Sequence, residues 1–350
     1  MKTHIKNRSL NEITEYALAK GQPAFRAKQL FEWIWKKQAE SFGEMTNLPL
    51  SFREALEADF WVNTLETADE QVSADGTRKF VFALADGQKI ESVLIPSDGR
   101  ITACISTQVG CALGCRFCAT GSMGFVRDMD FTEIHDQIIR LMKLSAARYQ
   151  TTLDNIVVMG MGEPLLNFDN TITALDRISD KTTLNFSPQR ITISTAGIVP
   201  AIIRMADKNL PYHLAISLHS ANEAKRKQMM PVAQKYPLPM LTDALKHYHA
   251  KTGNRITIEY ILFGGLNDAP EDAAALAQFC RSFPVKINLI QYNATSLGTF
   301  GSSTAADSKK FVQFLENKNI IVNLRKSKGA DILAACGQLV KNSNLKPDIS

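Results

Sequence analysis

The chain has 350 residues, 45% hydrophobic and 21% charged, with 19 Gly and 13 Pro, a globular composition that excludes a disordered or fibrous chain. No apolar run approaches the roughly 18 residues of a membrane span, and the opening MKTHIKNRSLNEITEYALAK carries no apolar leader segment. Net charge is +5, which says little until it is divided along the chain. Residues 1–37 hold eight Lys/Arg against three acids, residues 309–350 hold the same, and the centre is acidic by difference. Basic ends suit an anionic partner, although solvated basic helices give the same balance. Six cysteines are too few for a disulfide scaffold. The expectation is a reducing, cytoplasmic setting with no membrane partner, in which clustered cysteines read as metal or catalytic sites.

In chain order, PAFRAKQLFEWIWKKQAESF places Phe25, Leu30, Ile34 and Trp35 at helical spacing behind Pro23. TNLPLSFREALEADF reads as a capped turn and a shorter helix. Phe31, Trp33 and Trp35 read as core or interdomain packing. From residue 78 the period changes: RKFVFAL and KIESVLIP flank Asp86-Gly87, a hairpin signal. Short β-branched strands follow at 101–106, 155–161, 190–195, 212–218, 255–262, 285–290 and 320–325. Helices are expected near 132–148, 169–179, 198–208, 238–252 and 269–282.

Repeated strand–helix alternation predicts an α/β fold with parallel strands whose C-terminal ends share one rim, the rim that carries chemistry in such barrels. The expected divisions are a helical N-terminal accessory domain over 1–75, a β-hairpin connector over 76–96, a barrel over 97–300 and a C-terminal extension over 301–350.

The strongest motif is CALGCRFC, which sets Cys111, Cys115 and Cys118 in a C-x3-C-x2-C pattern just after the first barrel strand. Three thiolates on one loop hold three corners of a cubane. Because a [4Fe–4S] cluster normally takes four cysteines, one iron stays open to a small molecule. Structural zinc wants four ligands, usually two C-x2-C pairs, and no second pair exists here. Cys104, Cys280 and Cys336 stand singly.

This pattern, with Phe117 before the last cysteine and GMGEP at 160–164 after the second strand, resembles the radical S-adenosylmethionine (SAM) superfamily. RITACISTQVGCALGCRFCATG, VVMGMGEPLLN, RITISTAGIVP, LAISLHSAN, INLIQYN and RKSKGADILAACGQL, with PAFRAKQLFEWIWKK and FGEMTNLP upstream, narrow the resemblance. They are similar to the family that methylates carbon 2 of adenine in RNA, and the likeness runs nearly end to end. The implied fold is a partial (βα)6 barrel with a small helical N-terminal domain and a C-terminal extension. The implied substrates are an adenosine of 23S rRNA in the peptidyl transferase centre and the adenosine 3′ to the anticodon of some tRNAs.

Carbon 2 lies between two ring nitrogens and is too electron-poor to attack the methyl group of SAM. The resemblance implies that the methyl is first staged on Cys336 of AACGQL, whose thiolate takes it by displacement. A second SAM, chelated by the open iron, supplies a 5′-deoxyadenosyl radical, so two SAM molecules serve each turnover. Glu91 takes the place of the proton acceptor, and Cys104 that of the thiol forming a transient disulfide with Cys336. Gly162, Glu163, Ser194, Ser217, Leu218, His219 and Asn293 fall on the family's SAM-binding positions. An electron donor such as flavodoxin or ferredoxin and a monomeric state are further expectations.

Read without the resemblance, Cys104 and Cys336 are ordinary buried thiols, Glu91 is a surface strand residue, His219 is a structural histidine and Cys280 is core. Reaching carbon 2 requires the base out of its stack, and Arg325, Lys326 and Lys328 are placed to hold phosphates around it. Two alternatives stand: methylation of adenosine carbon 8, which shares cluster and cysteines, and a non-enzymatic RNA-binding protein with a structural metal.

Overall fold

The computed structural model describes residues 2–63, 65–293 and 300–339. Among these residues the main sheet has ten strands: β1 (Glu66–Val72), β2 (Arg78–Ala83), β3 (Lys89–Ser97), β4 (Arg100–Cys104), β5 (Asn155–Val158), β6 (Ile191–Thr195), β7 (His213–Ser217), β8 (Ile256–Leu262), β9 (Val285–Gln291) and β10 (Ile321–Arg325). They lie side by side in chain order. β1 to β4 pair antiparallel and β4 to β10 pair parallel. The sheet ends at β1 and β10 rather than closing, which makes it the α/β partial barrel expected from the alternation, with β10 as a seventh parallel strand.

The parallel strands have two unlike faces. Ile156, Ile193, Ile216, Ile258 and Ile287 are fully buried on one face, packed with the crossover helices into the main core. Residues directly opposite in a ladder share a face, as do residues two apart. By that rule Cys104, Val157, Thr192, Ser194, Ser217, Glu259, Asn288 and Asn323 share the other. A polar inner face under an apolar outer one is what a barrel needs if its interior receives a ligand.

The helix Phe131–Tyr149 starts in a capping box: Asp130 accepts from the Thr132 N–H at 2.8 Å and Glu133 from the Asp130 N–H at 2.9 Å. It covers the sheet and also carries the N-terminal unit, whose own core gathers Ile13, Leu30, Ile34, Trp35, Phe42, Phe52 and Leu56. Lys6 pairs with buried Asp136, His4 Nε2 lies 2.9 Å from Asp136 Oδ2, and Trp35 meets His135 edge-on at 5.2 Å. Burial opposes ionisation of Asp136, but Lys6 and the two histidines hold its carboxyl well below the usual range.

The strand β1 was not foreseen. ETADEQV has no apolar alternation because all of it is exposed or half-exposed; backbone pairing to β2 holds it, and its charges suit an unpaired sheet edge. A short hairpin, Gln108–Gly110 against Phe125–Asp128, also went unread. Residues 294–299 of the expected barrel segment and 340–350 of the expected extension, with Lys341 and Lys346, lie outside the described residues. No helix among the described residues is long and apolar enough to cross a membrane.

Candidate active site

The cysteine loop leaves β4 and is pinned at each end. Gly110 has φ +74°, and a Cβ there would overlap the Gly124 carbonyl, the group that accepts the Cys111 N–H at 2.8 Å. Only glycine fits so close an approach in the left-handed region. Farther along, the Arg116 N–H donates to the Met229 carbonyl at 3.0 Å and the Cys118 N–H to Cys115 O at 3.1 Å. A Cβ on Gly121 would stand 3.1 Å from the Cys115 backbone, so the loop folds tightly around its three thiols.

Burial pushes the Cys111 thiol up to about 12 and raises those of Cys115 and Cys118, and each of the first two is raised further by a neighbouring cysteine. One buried and two half-buried thiols this close together are stable as thiolates only against a cationic centre. Buried Arg226 supplies one positive charge toward Cys115, and burial lowers its own pKa to about 10. Among the described residues no three His, Cys, Asp or Glu side chains converge on the position of a single metal ion.

The rim beyond β5 explains G-M-G. A Cβ on Gly160 would come within 2.6 Å of Ile105 O and Ser106 Oγ, and one on Gly162, at φ +96°, within 2.5 Å of Gln108 Cβ. Packed this way, the loop delivers Glu163 into the interior. Its N–H donates to Gln108 Oε1 at 2.8 Å, and its carboxyl accepts from Leu165 N–H at 3.0 Å and Ala196 N–H at 2.8 Å. Burial raises Glu163 to about 7 against those bonds.

Ser194 and Ser217 meet Oγ to Oγ at 3.4 Å on neighbouring strand ends. The Leu218 N–H donates to Glu259 O at 3.0 Å. His219, at φ 54°, accepts the Ile261 N–H on Nδ1 at 3.1 Å and packs edge-on to Phe117 at 4.9 Å. Burial lowers His219 to about 3, so the ring is neutral and built into the wall. Asn293 donates from Nδ2 to Ser327 Oγ at 2.7 Å, which ties β9's end to the segment leading to Cys336.

That segment crosses the mouth. Ser73 Oγ donates to Asp331 Oδ1 at 2.6 Å, Gly329 N–H to Asp75 Oδ2 at 3.1 Å, and Ala119 N–H to Gly337 O at 2.7 Å. Cys336 keeps an exposed outer surface, while the protein crowded around its other sides, then Glu259 and Cys118, raise its thiol against the pull of Arg325. Cys104 is buried; that burial and the nearby Cys336 push its thiol up. Glu91 is a correction to its isolated reading as a surface residue: it is 2% exposed, with Oε1 3.4 Å from Lys79 Nζ.

Residues 105–277 match the Radical SAM superfamily, and residues 3–62 match the Ribosomal RNA large subunit methyltransferase N-terminal domain. A probable dual-specificity RNA methyltransferase RlmN from Cytophaga hutchinsonii is 45% identical over 96% of this chain and 92% of its own length. The dual-specificity RNA methyltransferase RlmN of Geotalea uraniireducens is 41% identical over 97% of this chain and 96% of its own. The crystal structure of a radical SAM methyltransferase from Sphaerobacter thermophilus has a TM-score of 0.91 at 38% identity, covering 97% of this chain and 99% of that one. The chain belongs to the RlmN family of radical SAM dual-specificity RNA methyltransferases. A [4Fe–4S] cluster and SAM come with that superfamily.

Within this RlmN-family site, four residues escaped the sequence reading. Arg226 lies in a KRK run that looks solvated, yet it is fully buried with Nη2 donating to Ala196 O at 2.7 Å. Gln108 bridges Glu163 and Asp128. Glu259 accepts from Asn288 Nδ2 at 2.8 Å inside the barrel. Lys79 is 1% exposed. Cys280 is buried, as a core residue should be.

Proposed function

We propose that this chain methylates carbon 2 of adenine in 23S rRNA, at the peptidyl transferase centre, and in tRNA, at the base 3′ to the anticodon, using Cys336 as the methyl carrier. The observation that carries the reading is the seat of Cys336 at the barrel mouth, within the field of both Cys104 and Cys118. Cys111, Cys115 and Cys118 would hold the cluster; Gly162, Glu163, Ser194, Ser217, Leu218, His219 and Asn293 would hold SAM. When bound, cluster and SAM supply the methyl group and then the radical that activates it, with two SAM consumed per turnover.

The chain's own groups do the rest. Cys336 carries the methyl to the base as a thioether. Glu91, buried on the face it shares with Cys104, takes the proton that carbon 2 must lose. The odd electron left by radical addition would pass back to the bound cluster. Cys104 Sγ, as its thiolate, then attacks Cys336 Sγ; the sulfur–carbon bond breaks with its pair on the methylene, which takes the proton back from Glu91 to become the methyl, a disulfide forms, the methylated base leaves, and a reductant restores both thiols. The helical N-terminal unit, read as residues 1–75, and Arg325, Lys326 and Lys328 hold phosphates, with a flavodoxin- or ferredoxin-like donor and a cytoplasmic monomer completing the proposal.

The test is anaerobic turnover of reconstituted protein with SAM, reductant and an rRNA fragment or tRNA, followed by mass spectrometry of nucleosides beside Cys336→Ala. 2-Methyladenosine that vanishes in the variant supports the reading. 8-Methyladenosine would keep the carrier and overturn the regiochemistry.

A further inference from the structure

Lys79 is the second residue of β2, with a side chain as dry as the core around it. Only 1% of the residue is exposed. Its Nζ makes no hydrogen bond among the described residues, and the Glu91 carboxylate stands 3.4 Å away. An ammonium has three N–H groups to satisfy, and burying one with a single, loose ion pair is costly enough that a structural role alone is a poor reason to keep it. A buried polar group left without a partner in a native fold calls for an explanation, whether strain, an ordered water or ion, or a role in chemistry.

Register fixes where this one points. Lys79 lies opposite Val93 and Val81 opposite Glu91, while Val93 lies opposite Cys104. Lys79, Glu91 and Cys104 therefore share one face of the sheet, the face toward which Cys336 is held. The lysine reaches the same space as the carboxylate proposed to take the proton from carbon 2.

We propose that Lys79 is a further catalytic residue, donating a hydrogen bond from its ammonium to a ring nitrogen that flanks carbon 2 of the target adenine. The proposal rests on the carbon-2 reading above. A carbon-centred radical beside sulfur is electron-rich and adds fastest to an electron-poor ring. A cationic donor on the adjacent nitrogen withdraws density from carbon 2 and stabilises the charge that the ring nitrogen gains as the new bond forms. Glu91 then takes the carbon-2 proton, so the pair divides the work: the ammonium polarises and the carboxylate deprotonates. No proton leaves Lys79, and nothing else needs to be supplied.

The experiment uses full-length reconstituted protein, wild type, Lys79→Met and Lys79→Arg, with RNA carrying adenosine, 1-deazaadenosine or 3-deazaadenosine at the target. Methyl on Cys336, read by intact-protein mass spectrometry, needs no RNA base and reports that the variants are folded and loaded. Lys79→Met is expected to keep that methyl and to slow transfer to adenosine about ten- to a hundredfold, the worth of a charge-assisted hydrogen bond, with Lys79→Arg recovering part of it. On the deaza substrate that lacks the acceptor nitrogen, wild type should fall to the level of Lys79→Met, and the variant should lose nothing more. Equal loss by Lys79→Met on all three substrates would overturn the proposal, because the lysine would then act only by placing Glu91. Should Lys79→Met fail to carry methyl on Cys336, wild type on the three substrates still decides: indifference to both deaza changes overturns the donor. A wild type that makes no 2-methyladenosine at all sinks the carbon-2 reading itself, and this arm tells the two failures apart.

Discussion

Ala119 donates its backbone N–H to the carbonyl of Gly337 at 2.7 Å, joining the residue after Cys118 to the residue after Cys336 across 218 positions of chain. Gly337 adopts φ +79°, and a Cβ there would lie 3.6 Å from Phe117 O and 3.8 Å from Cys118 Cα. The glycine of AACGQL thus serves the left-handed backbone at which the C-terminal segment rests on the cysteine loop, where a Cβ would make only ordinary contact. The proposed carrier segment and the proposed cluster loop are coupled by backbone, so the distance between their main chains does not depend on side-chain rotamers.

If Cys104 resolves the thioether on Cys336, removing it should strand the RNA. Cys104→Ala is expected to accumulate a covalent protein–RNA adduct that survives denaturing electrophoresis, with free methylated product cut at least a hundredfold. Cys104→Ala/Cys336→Ala should give no adduct. An adduct persisting in the double variant would remove Cys336 from the mechanism.

Gly110 places Cys111, the first of the three thiols proposed to hold the cluster, through the Gly124 carbonyl. Gly110→Ala forces a Cβ into that carbonyl and strains a left-handed φ, costs of one to a few kcal/mol that fall on the loop rather than on the core. The expected outcome is a folded chain, by circular dichroism, that takes up less than half the wild-type iron on reconstitution. Full iron loading would show that the loop tolerates the displacement of Cys111.

Much of this was legible in the sequence because each signal was local. Strand and helix periods between 101 and 325 were readable since the outer-face isoleucines recur every second residue in the strands and the helices carry apolar stripes. The C-x3-C-x2-C spacing and the two glycines of GMGEP are fixed by contacts within a few residues or one neighbouring loop. The burial of Arg226, Lys79 and Glu91 was not legible, because no local spacing marks it: the residue that accepts from Arg226 is Ala196, in another loop, and Lys79 and Glu91 meet only once their strands are paired. Glu259 and Asn288 did leave a signal. In ITIEYIL and VKINLI the polar residue stands at the alternate position, facing inward once the register is known.

The N-terminal unit depends on a buried charge. Lys6 and Asp136 are 5% and 2% exposed at their side chains, so neutralising one leaves the other uncompensated, which costs about 3–5 kcal/mol. Asp136→Asn should lower global stability by that amount in urea melts, or release residues 3–62 to limited proteolysis at lower denaturant than the barrel. A loss below 1 kcal/mol would mean the pair is solvated in solution.

Acid should find the same interface. Burial, then the Lys6 charge, lowers His135 to about 4 despite Asp136 beside it, and burial lowers His219 to about 3. In the unfolded chain both titrate near 6.5. Between those values the unfolded state binds protons that the native state refuses, so stability is fully present above about pH 6.5 and is lost as pH falls toward about 4. Each histidine contributes a slope of up to about 1.4 kcal/mol per pH unit in that window. His135→Phe keeps a ring against Trp35 and removes one of the two titrations. Urea melts at pH 7, 6 and 5 should therefore lose less stability per pH unit in the variant, by up to about 1.4 kcal/mol, whatever its stability at pH 7; Glu163, raised to about 7 by burial, gives a slope of opposite sign in both proteins. An unchanged slope would place the acid sensitivity elsewhere, with His219 or with the carboxylates.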